Sequence, residues 1–175
     1  MRKTNLKGER CSVPGYLNNM LTHIDAKGNP TMVDVTEKKV SHRTATARSI
    51  VSLPDEVLAH LTGGELQTKK GSVFQTAIIA GIMAAKKTGD LIPLCHPLGL
   101  DNCNVTIHFN DRQEVVIDCT ASITAKTGVE MEALVGASIA ALTVYDMCKA
   151  MSHDIVIRET KLVEKTGGKR DFKRS

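Results

Sequence analysis

Hydrophobic positions along this chain change spacing several times, and each change marks an element. From Lys39 to Val51 the sequence is rich in Thr, Val and Ser, which predicts a strand. Pro54–Leu61 predicts a short helix, with Ser52 near its start and Gly63-Gly64 beyond its end. Over Ser72–Lys87, residues Phe74, Ala77, Ile78, Gly81, Ile82 and Ala85 recur at helical spacing and form one apolar stripe. The period then drops to two. Val105, Ile107 and Phe109 alternate with polar residues, as do Val115, Ile117, Cys119, Ala121 and Ile123. These predict two strands joined by a hairpin loop at Asn110–Gln113. A long helix is predicted over Val129–Met151 and a last strand over Asp154–Val163. Gly28–Pro30 signals a turn. Residues 1–20 lack periodicity and read as a flexible N-terminal extension, leaving 21–175 as one domain with a basic tail.

The predicted order is strand, helices, strand, strand, helix, strand. It specifies an α+β, ferredoxin-like split βαβ fold, an antiparallel sheet with helices packed on one face. The long helix is apolar around much of its circumference, through Leu134, Val135, Ala137, Ile139, Ala141, Leu142 and Val144. One sheet cannot cover that width, so oligomerisation is expected.

Composition narrows the function classes. At 175 residues with 42% hydrophobic content the chain can bury a sizeable core. Aromatics amount to 3% with no Trp, so stacking platforms for single-stranded nucleic acid are hard to build. The net charge of +4 comes from the ends, because residues 1–10 and 161–175 are strongly basic and the remaining body is acidic. Basic ends are read as solvated tails or as phosphate-binding segments. Five cysteines without a CxxC pair argue against a disulfide framework or structural zinc, and point to a cytoplasmic protein with reduced thiols. No apolar run is expected to approach the roughly 20 residues needed to span a membrane.

Several residues carry chemistry in that scaffold. LIPLCHPL at 91–98 sets Cys95 and His96 between two prolines. His96 is a candidate acid, base or phosphate partner, or a loop histidine bonded to backbone; Cys95 is a candidate nucleophile or a buried inert thiol. The long helix opens with Glu130 and Glu132, which suit a helix N-terminus, and closes with Asp146 and Lys149, three apart on one face. That last pair reads either as a surface ion pair or as an acid–base pair. Glu132 and Asp146 are separated by about 21 Å of helix. They cannot both reach one reacting atom from one chain, so a shared site calls for an extended ligand or a second subunit. Lys69-Lys70-Gly71-Ser72 precedes a helix, where lysines can meet phosphate. Lys165-Thr-Gly-Gly-Lys169 resembles a P-loop only superficially, reading as a lysine lid or a solvated tail. Asp34 and Arg43 carry no strong reading alone.

LIPLCHPL, KTGVEMEAL, ALTVYDMCKAM, THIDAKGNPTMVDV and KTGGK together resemble the molybdenum cofactor biosynthesis protein C (MoaC) family, over about residues 22–172. That family comprises the cyclic pyranopterin monophosphate synthases. The resemblance implies conversion of a cyclised dihydroguanosine triphosphate to cyclic pyranopterin monophosphate, with release of pyrophosphate. It also implies a homohexamer, a trimer of dimers, with active sites between subunits. By motif, Asp146, Lys70 and Lys149 are carried over as catalytic. Leu94, Cys95, His96, Met131, Glu132, Glu130, Arg43 and Lys165 are carried over as substrate-binding. The tail departs from the family's usual SGGKSGDF, reading TGGKRDF one residue shorter. No metal ligand set or resident cofactor is implied, although Mg²⁺ could accompany the triphosphate. If Lys70 and Asp146 come from different subunits, mixing Lys70→Ala with Asp146→Asn chains should restore activity. The rival reading is a non-enzymatic ferredoxin-like module that binds nucleotides or RNA through its basic ends. A different purine-nucleotide phosphate-lyase using the same residues is the intermediate case.

Overall fold

The computed structural model describes residues 24, 25 and 27–174, so the expectation for residues 1–20 lies outside the described residues. The chain divides into two units, Met1–Val33 and Asp34–Ser175. In the first, the Asp25 carboxylate accepts hydrogen bonds from the backbone N–H groups of Lys27 and Asn29, at 2.8 Å each. That turn places Ile24 opposite Pro30 in a β-bridge, at the turn expected from Gly28–Pro30.

Among the described residues the second unit contains eight strands and four helices. They run β1 (Ser41–Ser52), α1 (Asp55–Leu58), β2 (Leu61–Thr62), β3 (Glu65–Thr68), β4 (Gly71–Ser72), α2 (Val73–Ala85), α3 (Thr88–Leu91), β5 (Asn102–Phe109), β6 (Val115–Ala125), α4 (Glu130–Cys148), β7 (Val156–Thr166) and β8 (Phe172–Lys173). The main sheet is antiparallel, in the order β5-β6-β1-β7-β8. Its first four strands with α2 and α4 make the ferredoxin-like βαββαβ arrangement, so the expected α+β fold is the one observed.

Strand alternation decides which face is buried. Ala45, Ala47, Ser49 and Val51 of β1 are buried, as are Val115, Ile117, Cys119, Ala121 and Ile123 of β6. These positions meet α4, and Ala133, Ala137, Ala140, Ala141 and Val144 of α4 complete the core. Small residues bring α2 close to α4. A Cβ on Gly81 would lie 2.9 Å from the Gly136 carbonyl oxygen, and one on Gly136 would lie 2.5 Å from Cys119 Sγ. The alternate sheet face is polar. Arg48 grips Asp118 through two hydrogen bonds of 2.7 and 2.8 Å, and the Thr46 and Thr120 hydroxyls are 2.9 Å apart.

Several local expectations change. The helix expected over Pro54–Leu61 is a single turn, Asp55–Leu58. Residues 61–72 form a small three-stranded sheet, β2-β3-β4, that local periodicity did not reveal. Its strands are two to four residues long, too short to show alternation, although Gly63-Gly64 with both φ positive is the signature of a two-residue hairpin. The expected final strand extends to Thr166, and the tail turns back to add β8 beside Glu164 and Lys165. Helix α4 is long and apolar enough to cross a membrane, with mean hydropathy 1.3, contrary to the expectation that no run approaches that length. It lies against the sheet as the core helix, with 56% of its apolar stretch buried.

Candidate active site

Helix α4 separates the candidate residues into two groups, one at each end. At the C-terminal end, Asp146 sits in the last turn of α4 and Lys149 just beyond it. Lys149 Nζ lies 2.7 Å from Asp146 Oδ1. Lys70 reaches the other carboxylate oxygen, Oδ2, at 3.1 Å and donates to the Asp146 carbonyl at 3.3 Å. Lys70 is delivered by the turn between β3 and β4. The Asp146 carboxyl is held below its usual range by the hydrogen bond from Lys149 and then by Lys70, while Asp146 raises the Lys149 amine. An acidic residue in a last helical turn opposes the helix dipole. Two ammonium groups compensate, and all three side chains remain about half exposed. Beside them is an apolar cleft of about 580 Å³, lined by residues that include His60, Lys69, Lys70, Met147 and Met151.

The N-terminal end is built differently. Glu130 begins α4, and Lys165 Nζ lies 2.8 Å from its Oε1. Register explains this reach. Lys165 is the β7 partner of Ala45, so its side chain shares the helix-facing side of the sheet, and Arg43 lies two residues from Ala45 on the same side. Arg43 Nε donates to the Ala125 carbonyl at 3.1 Å. Burial opposes ionisation of Glu130, but Lys165, the helix N-terminal N–H of Glu130 itself and the Arg43 charge outweigh it and lower its pKa. Glu132 is only 3% exposed. Burial pushes its carboxyl up, and the charge of Glu130 adds to the rise. The Cys95 thiol is raised by burial and by the neighbouring Glu132 charge, which places the LIPLCHPL segment near this end. Leu94, Cys95 and His96 are half-buried, and Met131 is 37% exposed.

A cationic cavity of about 570 Å³ adjoins the Glu130–Lys165 pair. Lys38, Lys39, Arg43, Lys165 and Lys169 line it with Ser41, Gly167 and Gly168, and among the described residues no carboxylate side chain does. The fold therefore brings Lys169 to the cavity despite the shortened tail. Ser41 Oγ secures the loop by donating to the Gly167 carbonyl at 2.8 Å. Sequence reasoning missed Lys38 and Lys39, whose only signal was adjacency before a strand.

The structure brings Asp146, Lys70 and Lys149 together, and separately gathers Glu130, Lys165 and Arg43 at the opposite end of α4. Lys70 and Asp146 meet within one chain, so the condition for rescue by mixing Lys70→Ala with Asp146→Asn chains is not met.

The fold and these two ends define a ferredoxin-like α+β protein whose long helix presents a lysine–aspartate–lysine cluster at one end and paired carboxylates among cations at the other. The MoaC family matches residues 32–168, and the chain belongs to that family. It is 55% identical over 152 residues to cyclic pyranopterin monophosphate synthase of Xanthomonas campestris pv. campestris (strain 8004), covering 87% of this chain and 92% of that protein. It is 52% identical over 156 residues to the molybdenum cofactor biosynthesis bifunctional protein of Synechocystis sp. (strain ATCC 27184 / PCC 6803 / Kazusa), covering 87% of this chain and 45% of the relative. It is 48% identical over 169 residues to molybdenum cofactor biosynthesis protein 1 of Dictyostelium discoideum, covering 87% of this chain and 27% of the relative.

Proposed function

We propose that this protein is a cyclic pyranopterin monophosphate synthase, a lyase of molybdenum cofactor biosynthesis. The observation that carries the reading is the Lys70–Asp146–Lys149 cluster, in a chain that matches synthases over most of its length. The substrate is a purine-derived triphosphate, the cyclised dihydroguanosine triphosphate. Opening the purine ring and closing the pterin require several proton transfers. Asp146 is held ionised by two ammonium groups, so it can accept a proton, and Lys70 or Lys149 can return one. Cyclic phosphate formation needs a sugar hydroxyl to attack the innermost phosphorus, with pyrophosphate leaving. The cavity of Lys38, Lys39, Arg43, Lys165 and Lys169 offers cations to the phosphates and to the leaving group. His96 and Glu132, with Leu94, Cys95 and Met131, complete the substrate contacts in this reading.

The reading places the active site between subunits of a homohexamer in the cytoplasm. The two groups are separated by about 21 Å along α4. A second copy that sets its carboxylate end against the aspartate end of the first would assemble one pocket from both. The free cysteines Cys95, Cys103, Cys119 and Cys148 suit a reducing compartment.

The test is incubation with the cyclised triphosphate, following pyrophosphate and pterin together. The expected result is equal amounts of both. Pyrophosphate without pterin would indicate another phosphate-lyase, and neither product would sink the enzymatic reading in favour of a binding module.

A further inference from the structure

Glu65 lies at the start of β3, a few residues before Lys70 and outside the groups assigned to the site, and it gathers the contacts that hold the Lys70 turn. One carboxylate oxygen, Oε1, accepts from the backbone N–H groups of Leu66 and Phe74, each at 2.8 Å. The other, Oε2, accepts from the Ser72 hydroxyl at 2.6 Å and from the Gln75 N–H at 3.3 Å. A single side chain therefore ties the first strand of the hairpin to its second strand and to the first turn of α2. Ser72 itself makes no side-chain cap on α2, so Glu65 takes that place.

The hairpin so clamped has only Lys69 and Lys70 between its paired residues, Thr68 and Gly71. Thr68 Oγ1 accepts from the Lys70 N–H at 3.1 Å, and Gly71 follows at φ +109°, a conformation that favours glycine. Lys70 thus leaves a turn whose backbone is fixed on both sides, and its ammonium arrives 3.1 Å from Asp146. Burial opposes ionisation of Glu65, but the Ser72 hydroxyl and the Phe74, Leu66 and Gln75 N–H groups outweigh it and keep its pKa low.

We propose that Glu65 is a positioning residue for the synthase reaction: it locks the β3–β4 turn to the N-terminus of α2 and so holds the Lys70 ammonium against Asp146. This rests on the reading of Lys70 and Asp146 as catalytic. A lysine displaced by about 1 Å can lose up to about 100-fold in rate, so a clamp on its turn acts on chemistry without touching substrate.

The test compares Glu65→Gln, Glu65→Ala and Glu65→Asp with Lys70→Ala in the full chain, measuring kcat, KM and the pH dependence of kcat/KM. Glu65→Gln should lower kcat at least about tenfold with KM within about twofold. The acid limb of the profile should move to higher pH, because Asp146 loses part of the Lys70 charge that lowers its pKa. Glu65→Asp should recover part of kcat and return the acid limb toward wild type. Should Glu65→Ala fail to fold, the Gln and Asp variants still decide. Unchanged kcat in Glu65→Gln, or an equal loss with an unmoved acid limb, overturns the proposal. Lys70→Ala separates the two levels: near-normal turnover there removes the catalytic reading itself, whereas a dead Lys70→Ala beside a normal Glu65→Gln removes only the clamp.

Discussion

The two ends of α4 hold acidic residues for opposite physical reasons. At its start, Glu130 and Glu132 sit where the helix dipole favours negative charge. There, burial sets them apart: cations keep Glu130 ionised, while Glu132, nearly sealed from solvent, is pushed toward its protonated form. At its end, Asp146 sits where the dipole disfavours negative charge, half-exposed, and Lys149 and Lys70 hold it ionised. The Glu130 arrangement supports the fold as well as the site. The Asp146 arrangement gains little for the helix, which makes it the stronger pointer to function.

That contrast breaks first on activity. Asp146→Asn should lower turnover by roughly 100- to 10,000-fold, the usual range for loss of an acid–base group, with the unfolding midpoint nearly unmoved. Chains carrying Asp146→Asn mixed with chains carrying Glu132→Gln should recover roughly a quarter of wild-type turnover, because intact halves from two chains meet in one site in four. Lys70→Ala mixed with Asp146→Asn should recover nothing, since both defects lie in the same half-site. Recovery by the second mixture, or none by the first in verified mixed oligomers, would contradict the assignment of halves.

A second prediction concerns the segment that joins the ends. Gly136→Ala inserts a methyl group against Cys119 Sγ and should cost about 1–3 kcal/mol of stability, measured by denaturant unfolding. If α4 only spaces its two ends, residual activity should follow the folded fraction. A larger loss of turnover than of folded protein would show that helix position matters to both sites.

The smallest effect separates the two glutamates by pH. The folded pKa of Glu132 is raised, so ionising it costs stability as pH climbs from the ordinary glutamate value, about 4.3, to the folded one. Glu132→Gln removes that loss and should unfold later than wild type at neutral pH while turning over poorly. Glu130 has the opposite sign. Its folded pKa is lowered, so its contribution is present above about pH 4.3 and disappears as pH falls through the folded value. Glu130→Gln should therefore be less stable than wild type at neutral pH, with the difference closing in acid. Equal behaviour of the two variants in pH-dependent melts would erase the distinction.

Much of the fold was legible from periodicity. The period-two runs in β5 and β6 and the stripe in α2 are local consequences of burying one face, so they survive in a single strand of letters. The β2-β3-β4 sheet was not legible, because strands this short leave no pattern to count. Among site residues, Asp146 and Lys149 were placed together by helix spacing alone, and the separation of Glu132 from Asp146 followed from the rise of the helix. Lys70 could be flagged as a lysine before a helix, but its partner could not be named. That pairing depends on where the clamped hairpin docks against the last turn of α4. The same holds for Lys165 and Arg43, which join Glu130 only through the register of β7 and β1. Local sequence thus determined the elements and the ionisable residues they carry. Tertiary structure decided which charges meet, because contacts across 76 residues for Lys70–Asp146 and 35 for Lys165–Glu130 depend on packing and register rather than on local spacing.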